Sequence, residues 1–269
     1  MSYTEQEKLN SKHTFVICAY KESPYLEDCI LSLKSQTVKS DIIISTSTPN
    51  DFISNLALKY EIKVYVHDKG GSIGKDWNYG YSIAKTKYVT ITHQDDIYLP
   101  EFLEINLKGL NSSDKSILAF TNYDEIDQNS DLIERTINLK IKDVMLQPFK
   151  FFKSSRFVRN RVFSFGYPIC SPTATYNKDI LSDFKFSEIV CGAIDWEAFY
   201  RINLIKGRWY YSKKRLIKHR IHTDSETSSA ILTSKRTNEE EMMFRYYWPD
   251  FMVKIIMKFY VKAQKTNSR

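Results

Sequence analysis

Residues 88–102 read YVTITHQDDIYLPEF, and the fold turns on how they are read. Tyr88 to Thr92 alternate and branch at Cβ as a buried strand does, and the chain then runs straight into Asp95 and Asp96. Adjacent carboxylates repel, and desolvating either one is costly unless a cation stands beside it. One reading makes Asp96 a cap for a helix that Leu99-Pro100-Glu101 opens. The other makes the pair a cation site at the end of a strand. Working backward from residue 88, Thr14 to Ala19, Asp41 to Thr46 and Ile62 to Val66 read as further strands. Between them lie predicted helices over 23–36, capped by Ser23 with Pro24 at its first position, over 49–60 and over 73–85. Strands alternating with helices of this length make βαβ units and a mainly parallel sheet. Ligands bind outside the carboxyl ends of the strands in such sheets, so Asp95 and Asp96 fall on the ligand face.

Beyond residue 100 the pattern loosens. Ser116 to Asn122 read as a fifth strand, and residues 123–170 carry basic and aromatic side chains without a clear period. A short strand near SPTATY, a helix from Asp195 to Lys206, strands around RWYYS and LIKHRIH, and a helical tail from Glu239 to Lys265 complete the expectation. A chain of 269 residues suits one large domain, or a core with a C-terminal extension. The net charge of +7 favours anionic partners such as nucleotides, phosphorylated lipids or an acidic membrane surface. Cys18, Cys29, Cys170 and Cys191 show no CxxC pairing, so free thiols in a reducing cytosol are expected rather than zinc or disulfides. The polar start MSYTEQEKLNSK and the lack of an apolar run near ~20 residues point to a cytoplasmic protein.

Five segments, in order, resemble the motifs of the family 2 glycosyltransferases. FVICAYKESPYLEDCILSLKSQT is similar to the opening strand, nucleotide loop and first helix. GGSIGKDWNYGYSIAKTKYV is similar to the segment leading into the metal strand, and THQDDIYLPEF to the aspartate-x-aspartate motif with its trailing proline. GAIDWEAFYRI resembles the motif carrying the catalytic base, and HRIHTDSETS the terminal arginine-histidine motif. The resemblance covers roughly residues 13–225 and implies the A-type fold: α/β, with a Rossmann-like, mainly parallel central sheet flanked by helices. A catalytic domain over 1–235 (donor half about 13–122, acceptor half about 123–235) would be followed by a helical extension over 236–269.

The resemblance also implies roles. A divalent cation, Mn²⁺ or Mg²⁺, neutralises the leaving diphosphate and prefers carboxylate oxygens. Asp95 is then a metal ligand with His93, which stands where the family often has an aspartate, and Asp96 a second contact to metal or sugar. Tyr20 and Glu22 match the nucleotide loop. Ser45, within Ser45-Thr46-Ser47-Thr48, replaces a base-reading aspartate, and its hydroxyl both donates and accepts. Gly70 and Gly71 make a turn, Gly74 permits close backbone approach, and Lys75 and Asn78 face the donor. Asp195 occupies the position of the general base that deprotonates an acceptor hydroxyl, and Trp196 beside it stacks on a sugar or packs. Arg220 and His222, with His219 less marked, approach the diphosphate. The expected donor is a nucleotide-diphosphate sugar, uridine-linked because hydroxyls suit a uracil edge, and the acceptor a glycan or lipid-linked saccharide.

Two basic stretches remain. Lys150, Lys153, Arg156, Arg159 and Arg161 precede the acceptor region, where a phosphate-bearing acceptor can dock. Lys254, Lys258, Lys262 and Lys265 line one side of the C-terminal helix, which either lies on an anionic membrane surface or packs on protein, in one chain or an oligomer. Nucleic acid explains the charge but not the carboxylates, so no nucleic-acid partner is expected. AYKESPYLE lacks the glycine-rich signature of a sugar nucleotidyltransferase; a non-catalytic nucleotide- or membrane-binding module of the same fold is the other alternative.

Overall fold

The computed structural model describes residues 12–68, 71–222 and 234–267. The first hundred residues alternate strictly: β1 (His13–Ala19), α1 (Leu26–Lys34), β2 (Asp41–Thr46), α2 (Asp51–Lys59), β3 (Lys63–Val66), α3 (Ile73–Ile83) and β4 (Tyr88–His93). Next come β5 (Ile97–Tyr98), α4 (Phe102–Leu110), β6 (Ser116–Ile126), the helices α5 (Ile137–Leu146), α6 (Pro148–Phe151) and α7 (Arg156–Phe163), and β7 (Ala174–Asn177). The chain continues through α8 (Ile194–Leu204), β8 (Arg208–Arg220), α9 (Ser234–Arg245) and α10 (Asp250–Asn267). Among the described residues the strands form one sheet in the order β3-β2-β1-β4-β7-β6-β8-β5. β3, β2, β1 and β4 run parallel, β7 is antiparallel to both β4 and β6, β8 is parallel to β6, and β5 is antiparallel to β8.

Period-2 alternation along β1 sends Phe15 and Ile17 into one core and Val16 into the other. The first core lies under α1, α2 and α4, with Leu26, Ile30, Ile53, Leu103 and Leu107. The second lies under α3, α7, α8 and the two C-terminal helices, with Trp77, Phe163, Phe199, Met243 and Val253. Each such side chain, once fully buried, contributes about 2 kcal/mol over its exposed state. The C-terminal helices thus complete the second core on their inner face, while Phe251, Ile255 and Phe259 stay exposed on the outer face of α10. No helix among the described residues is long and apolar enough to cross a membrane.

Several local expectations change. Asp96 caps no helix: β5 intervenes, and α4 starts after Glu101. Ser23 does not cap α1 either; its carbonyl and hydroxyl accept from the N–H groups of Leu26 and Tyr25 in a turn that precedes the helix. RWYYS and LIKHRIH belong to one 13-residue strand instead of two. The tail breaks at Pro249, which cannot continue a helix, into α9 and α10. The unassigned stretch over 123–170 contains α5, α6 and α7. None of the four cysteines is in a disulfide. Gly70, the HRIHTDSETS motif from Thr223 onward, and the side chains of Lys262 and Lys265 lie outside the described residues.

Candidate active site

The parallel strands end together, and side chains tie their ends into a rim. The Gln94 carboxamide accepts from the Tyr20 N–H and donates to the Tyr20 carbonyl, both at 3.0 Å. Lys21 adopts φ +55°, and its N–H donates to Thr48 Oγ1 beyond β2 at 2.6 Å. Tyr20 and Glu22 stand exposed on this rim.

In the turn after β4 the paired carboxylates separate. β5 runs antiparallel to β8 with Ile97 opposite Lys218, so the next residues of β8 pass directly across Asp96 and Asp95. Asp96 is fully buried; its Oδ1 accepts from the Arg220 N–H at 3.0 Å and from His219 Nδ1 at 2.8 Å. Its Oδ2 lies 3.5 Å from His93 Nδ1 and has no hydrogen bond. Asp95 is partly exposed, and its Oδ2 accepts from His222 Nε2 at 2.9 Å. Each acid therefore has its own imidazole partners, which relieves the repulsion evident in the sequence.

The electrostatics follow. Burial works to raise the Asp95 pKa, but the His222 bond and the charges of His93 and His219 outweigh it and hold the carboxyl below its usual range. For His219, burial opposes charging, yet the charge and hydrogen bond of Asp96 prevail and push it up to about 9. The ligand atoms of His93, Asp96 and His219 lie within 4.8 Å of one another. Asp96 Oδ2 and His93 Nε2 are both buried without a hydrogen-bond partner. A carboxylate with imidazoles and two unfilled acceptor positions fits a divalent transition-metal cation. Asp95 lies outside this cluster; the ligand atoms brought together are those of His93, Asp96 and His219.

Facing the cluster is Asp195, in the first turn of α8. Ala193, not Asp195, is the N-cap, which frees the carboxylate from a capping role. Burial raises the Asp195 pKa against the opposing charge of His93 and a hydrogen bond with Ser171. The residues around it are held from elsewhere. Glu239 of α9 reaches back and accepts from the N–H groups of Cys191, Gly192 and Ala193, at 2.6 Å from Gly192. These amides belong to the N-cap and the two residues before it, so the carboxylate fixes the entry to α8 at the positive end of the helix.

Other expected site residues sit differently. Ser45 is buried beside Val16, Cys18 and Gly80 under α3, with an unpaired Oγ, so it does not face solvent at the rim. Asn78 spends its amide on the following loop, accepting from the Phe186 N–H at 2.7 Å and donating to Phe186 O and Glu188. Lys75 lines a cavity of about 500 Å³ beside the end of β3, together with His67, Tyr79 and Glu188. Arg220 is buried: it donates to the carbonyls of Asp95 and Asp127 and to Ser130 Oγ, all at 3.0 Å, and lies 4.2 Å from the Tyr25 ring centroid. It braces the turn through Nε and Nη1, while its Nη2 is buried without a hydrogen-bond partner. Trp196 is enclosed by Tyr167, Phe244 and Tyr247, which leaves no face for a sugar. Arg159, expected in the basic cluster, is buried on Asn203 and the carbonyls of Lys153 and Gly207. Gly74 does allow close approach, but to the protein itself: an added Cβ would stand 1.8 Å from Ser187 O. The sequence reading missed Gln94, Glu239 and Lys142, whose roles depend on partners far along the chain.

Residues 14–183 match the family model described as Glycosyl transferase family 2. The chain belongs to that family. It is 26% identical over 226 residues to a glycosyltransferase of Rickettsia prowazekii, an overlap of 81% of this chain and 66% of that one. It spans only 36% of a longer Rickettsia bellii relative. In fold this family 2 chain is similar to Staphylococcus aureus TarS 1–349 in complex with UDP-GlcNAc, with a TM-score of 0.65 at 16% identity over 91% of this chain and 70% of that one. It is similar also to the mannosyltransferase PcManGT from Pyrobaculum calidifontis in complex with GDP-Man and Mn²⁺, with a TM-score of 0.65 at 13% identity over 87% and 63% of the two chains. The mixed sheet flanked by helices is the glycosyltransferase A-type fold.

Proposed function

We propose that the chain is an inverting glycosyltransferase that moves a sugar from a nucleotide-diphosphate sugar, uridine-linked, to a glycan or lipid-linked saccharide at the cytoplasmic face of a membrane. The observation that carries this reading is the His93–Asp96–His219 cluster at the strand ends, with two buried polar atoms lacking partners, next to a separate half-buried carboxylate on α8. TarS and PcManGT, proteins of the same fold, are known with UDP-GlcNAc and with GDP-Man and Mn²⁺. Mn²⁺ or Mg²⁺ held by His93, Asp96 and His219 would supply charge neutralisation for the leaving diphosphate.

The protein's own residues do the rest. Tyr20 and Glu22 on the rim hold the nucleoside, and Lys75 contributes positive charge on the donor side. Asp95 and His222, more exposed than Asp96, stand where the diphosphate enters. Arg220 fixes the turn through the Asp95 carbonyl. Asp195 accepts the proton of the acceptor hydroxyl as it attacks, and its burial-raised pKa strengthens it as a base. A single base and a direct displacement invert the anomeric centre.

Thermal unfolding with UDP, with and without Mn²⁺, tests the donor side. At about a hundred times its dissociation constant the ligand adds ~2.7 kcal/mol, or roughly 5–10 °C for a chain of this size. The shift is expected only with metal, and Asp96→Asn should abolish it. Loss in Asp95→Asn alone would move the cation to the rim pair, and no shift with any nucleoside diphosphate would overturn the donor assignment.

A further inference from the structure

Lys142 lies on the inner side of α5, between the two halves of the site. Its ammonium donates to Tyr123 Oη at 3.2 Å and stands 5.9 Å from the Tyr123 ring centroid and 5.7 Å from that of Tyr167. Tyr123 meets His219 edge-on at 6.0 Å. Tyr167 stacks on Trp196 at 5.5 Å, and Trp196 adjoins Asp195. A line of groups therefore runs from the proposed cation site through Lys142 to the residue beside the proposed base.

The charge of this lysine is uncompensated. Asp143, next to it on α5, and Asp124 of β6 are taken by Arg135 at 2.7 and 2.6 Å. Among the described residues no carboxylate lies within ion-pair distance of Lys142, and two of its three ammonium protons have no acceptor. Arg236 stands nearby, donating to Tyr167 Oη at 2.7 Å and ion-paired with Glu240 at 3.0 Å. Enclosure is costly for an unpaired ammonium; here burial pulls its pKa below the ordinary lysine value, with Cys170, Glu125 and Asp195 resisting from a distance and Arg236 reinforcing the drop. A group of this kind is compensated when an anion binds beside it.

We infer that Lys142, with Tyr167 and Arg236 behind it, forms an oxyanion subsite for the acceptor, which carries a phosphoryl or carboxylate group close to the hydroxyl that Asp195 deprotonates. The inference rests on the glycosyltransferase reading for the role of Asp195, but the anion subsite itself can be measured separately. Parent, Lys142→Met and Lys142→Arg chains are unfolded thermally with Mg²⁺ and saturating UDP, which fills the donor's diphosphate position. Methyl phosphate or acetate is then added at matched ionic strength. The parent should gain a further ~2–4 °C with one of the two anions, roughly 1 kcal/mol for a chain of this size. Lys142→Met should lose that increment while keeping the UDP shift, and Lys142→Arg should retain part of it. The responding anion tells a phosphorylated acceptor from a carboxylated one.

On the parent chain, the same anion should slow acetylation of Lys142 by an N-hydroxysuccinimide ester several-fold, as read by mass spectrometry. This second readout needs no variant to fold. An anion shift that persists in Lys142→Met, or is absent in the parent, or vanishes once UDP is bound, overturns the subsite. An anion shift without any UDP shift upholds the subsite and counts against the donor reading instead.

Discussion

At the scale of single residues, the site pairs acids whose surroundings push them in opposite directions. Asp95 is held ionised by its imidazole neighbours, whereas Asp195 is pushed toward the neutral form by burial. The sign of the stability effect follows. Folding raises the Asp195 pKa above its value in the unfolded chain, ~3.9, so stability falls as pH rises from that value through the folded one and is flat above it. Ionised Asp195 is thus a cost to the fold at neutral pH, retained for what it does. Asp195→Asn should reduce transfer by about 10²–10⁴-fold while leaving the melting temperature equal or higher. In the parent, activity should fall on the acid side at a higher pH than an ordinary carboxylate would give. A melting temperature lowered by several degrees would instead mark Asp195 as structural. Asp195 was identifiable from its place in GAIDWEAFYRI, but Lys142 was not: nothing in INLKIKDVML separates it from Lys140, and only the rings of Tyr123 and Tyr167 do so.

At the scale of elements, the position of the proposed base depends on a helix some forty residues further along. α8 has no cap of its own, and Glu239 on α9 supplies one through the Cys191, Gly192 and Ala193 amides. Charge-assisted bonds of this type are worth about 1.5–3 kcal/mol, so Glu239→Ala should cost about 2–3 kcal/mol. Because those amides sit immediately before Asp195, kcat should fall more than KM rises. Equal kinetics with reduced stability would show that the cap holds the fold but not the base. The helices of the donor half were legible because α1, α2 and α3 carry ordinary amphipathic spacing between strands. The fusion of RWYYS and LIKHRIH into β8 was not, since Lys213, Lys214 and Arg215 interrupt the apolar alternation; pairing with β6, including register shifts near Asn122, carries the strand through.

At the scale of the whole molecule, the second core closes only when α9 and α10 lie on it, so the tail is part of the acceptor half's packing. One side of α10 remains outward and apolar, with Phe251 at 67%, Ile255 at 53% and Phe259 at 73% exposure, and Lys254 and Lys258 exposed among them. On α5, Ile137, Ile141 and Val144 likewise face outward, and Phe165 packs against Trp248 between the two regions. Apolar side chains within a basic surface suit the interface of an anionic bilayer, where each cation contributes about 1 kcal/mol. The proposed membrane contact predicts that the chain sediments with phosphatidylglycerol-containing vesicles and not with neutral ones, less strongly at high salt. Phe251→Ser with Phe259→Ser should weaken this about tenfold or more. Unchanged sedimentation in that variant would remove α10 from the contact, and self-association without lipid would make the same face a protein interface.

The sequence by itself determined the alternating βαβ order of the first hundred residues, the family, and the location of Asp95 and Asp96 just past the end of β4. Those features are local: they follow from periodicity, β-branching and motifs read within a few tens of residues. Only the tertiary structure decided which carboxylate meets which imidazole, because the antiparallel pairing of β5 with β8 sets Asp96 against His219 and Asp95 near His222. It likewise decided that Arg220 and Asn78 brace loops, that Ser45 lies beneath α3, and that Lys142 stands without a counter-ion among the described residues. Each of these depends on groups brought together across long stretches of chain, and the energy of a charge or a hydrogen bond is set by the neighbours it finally meets.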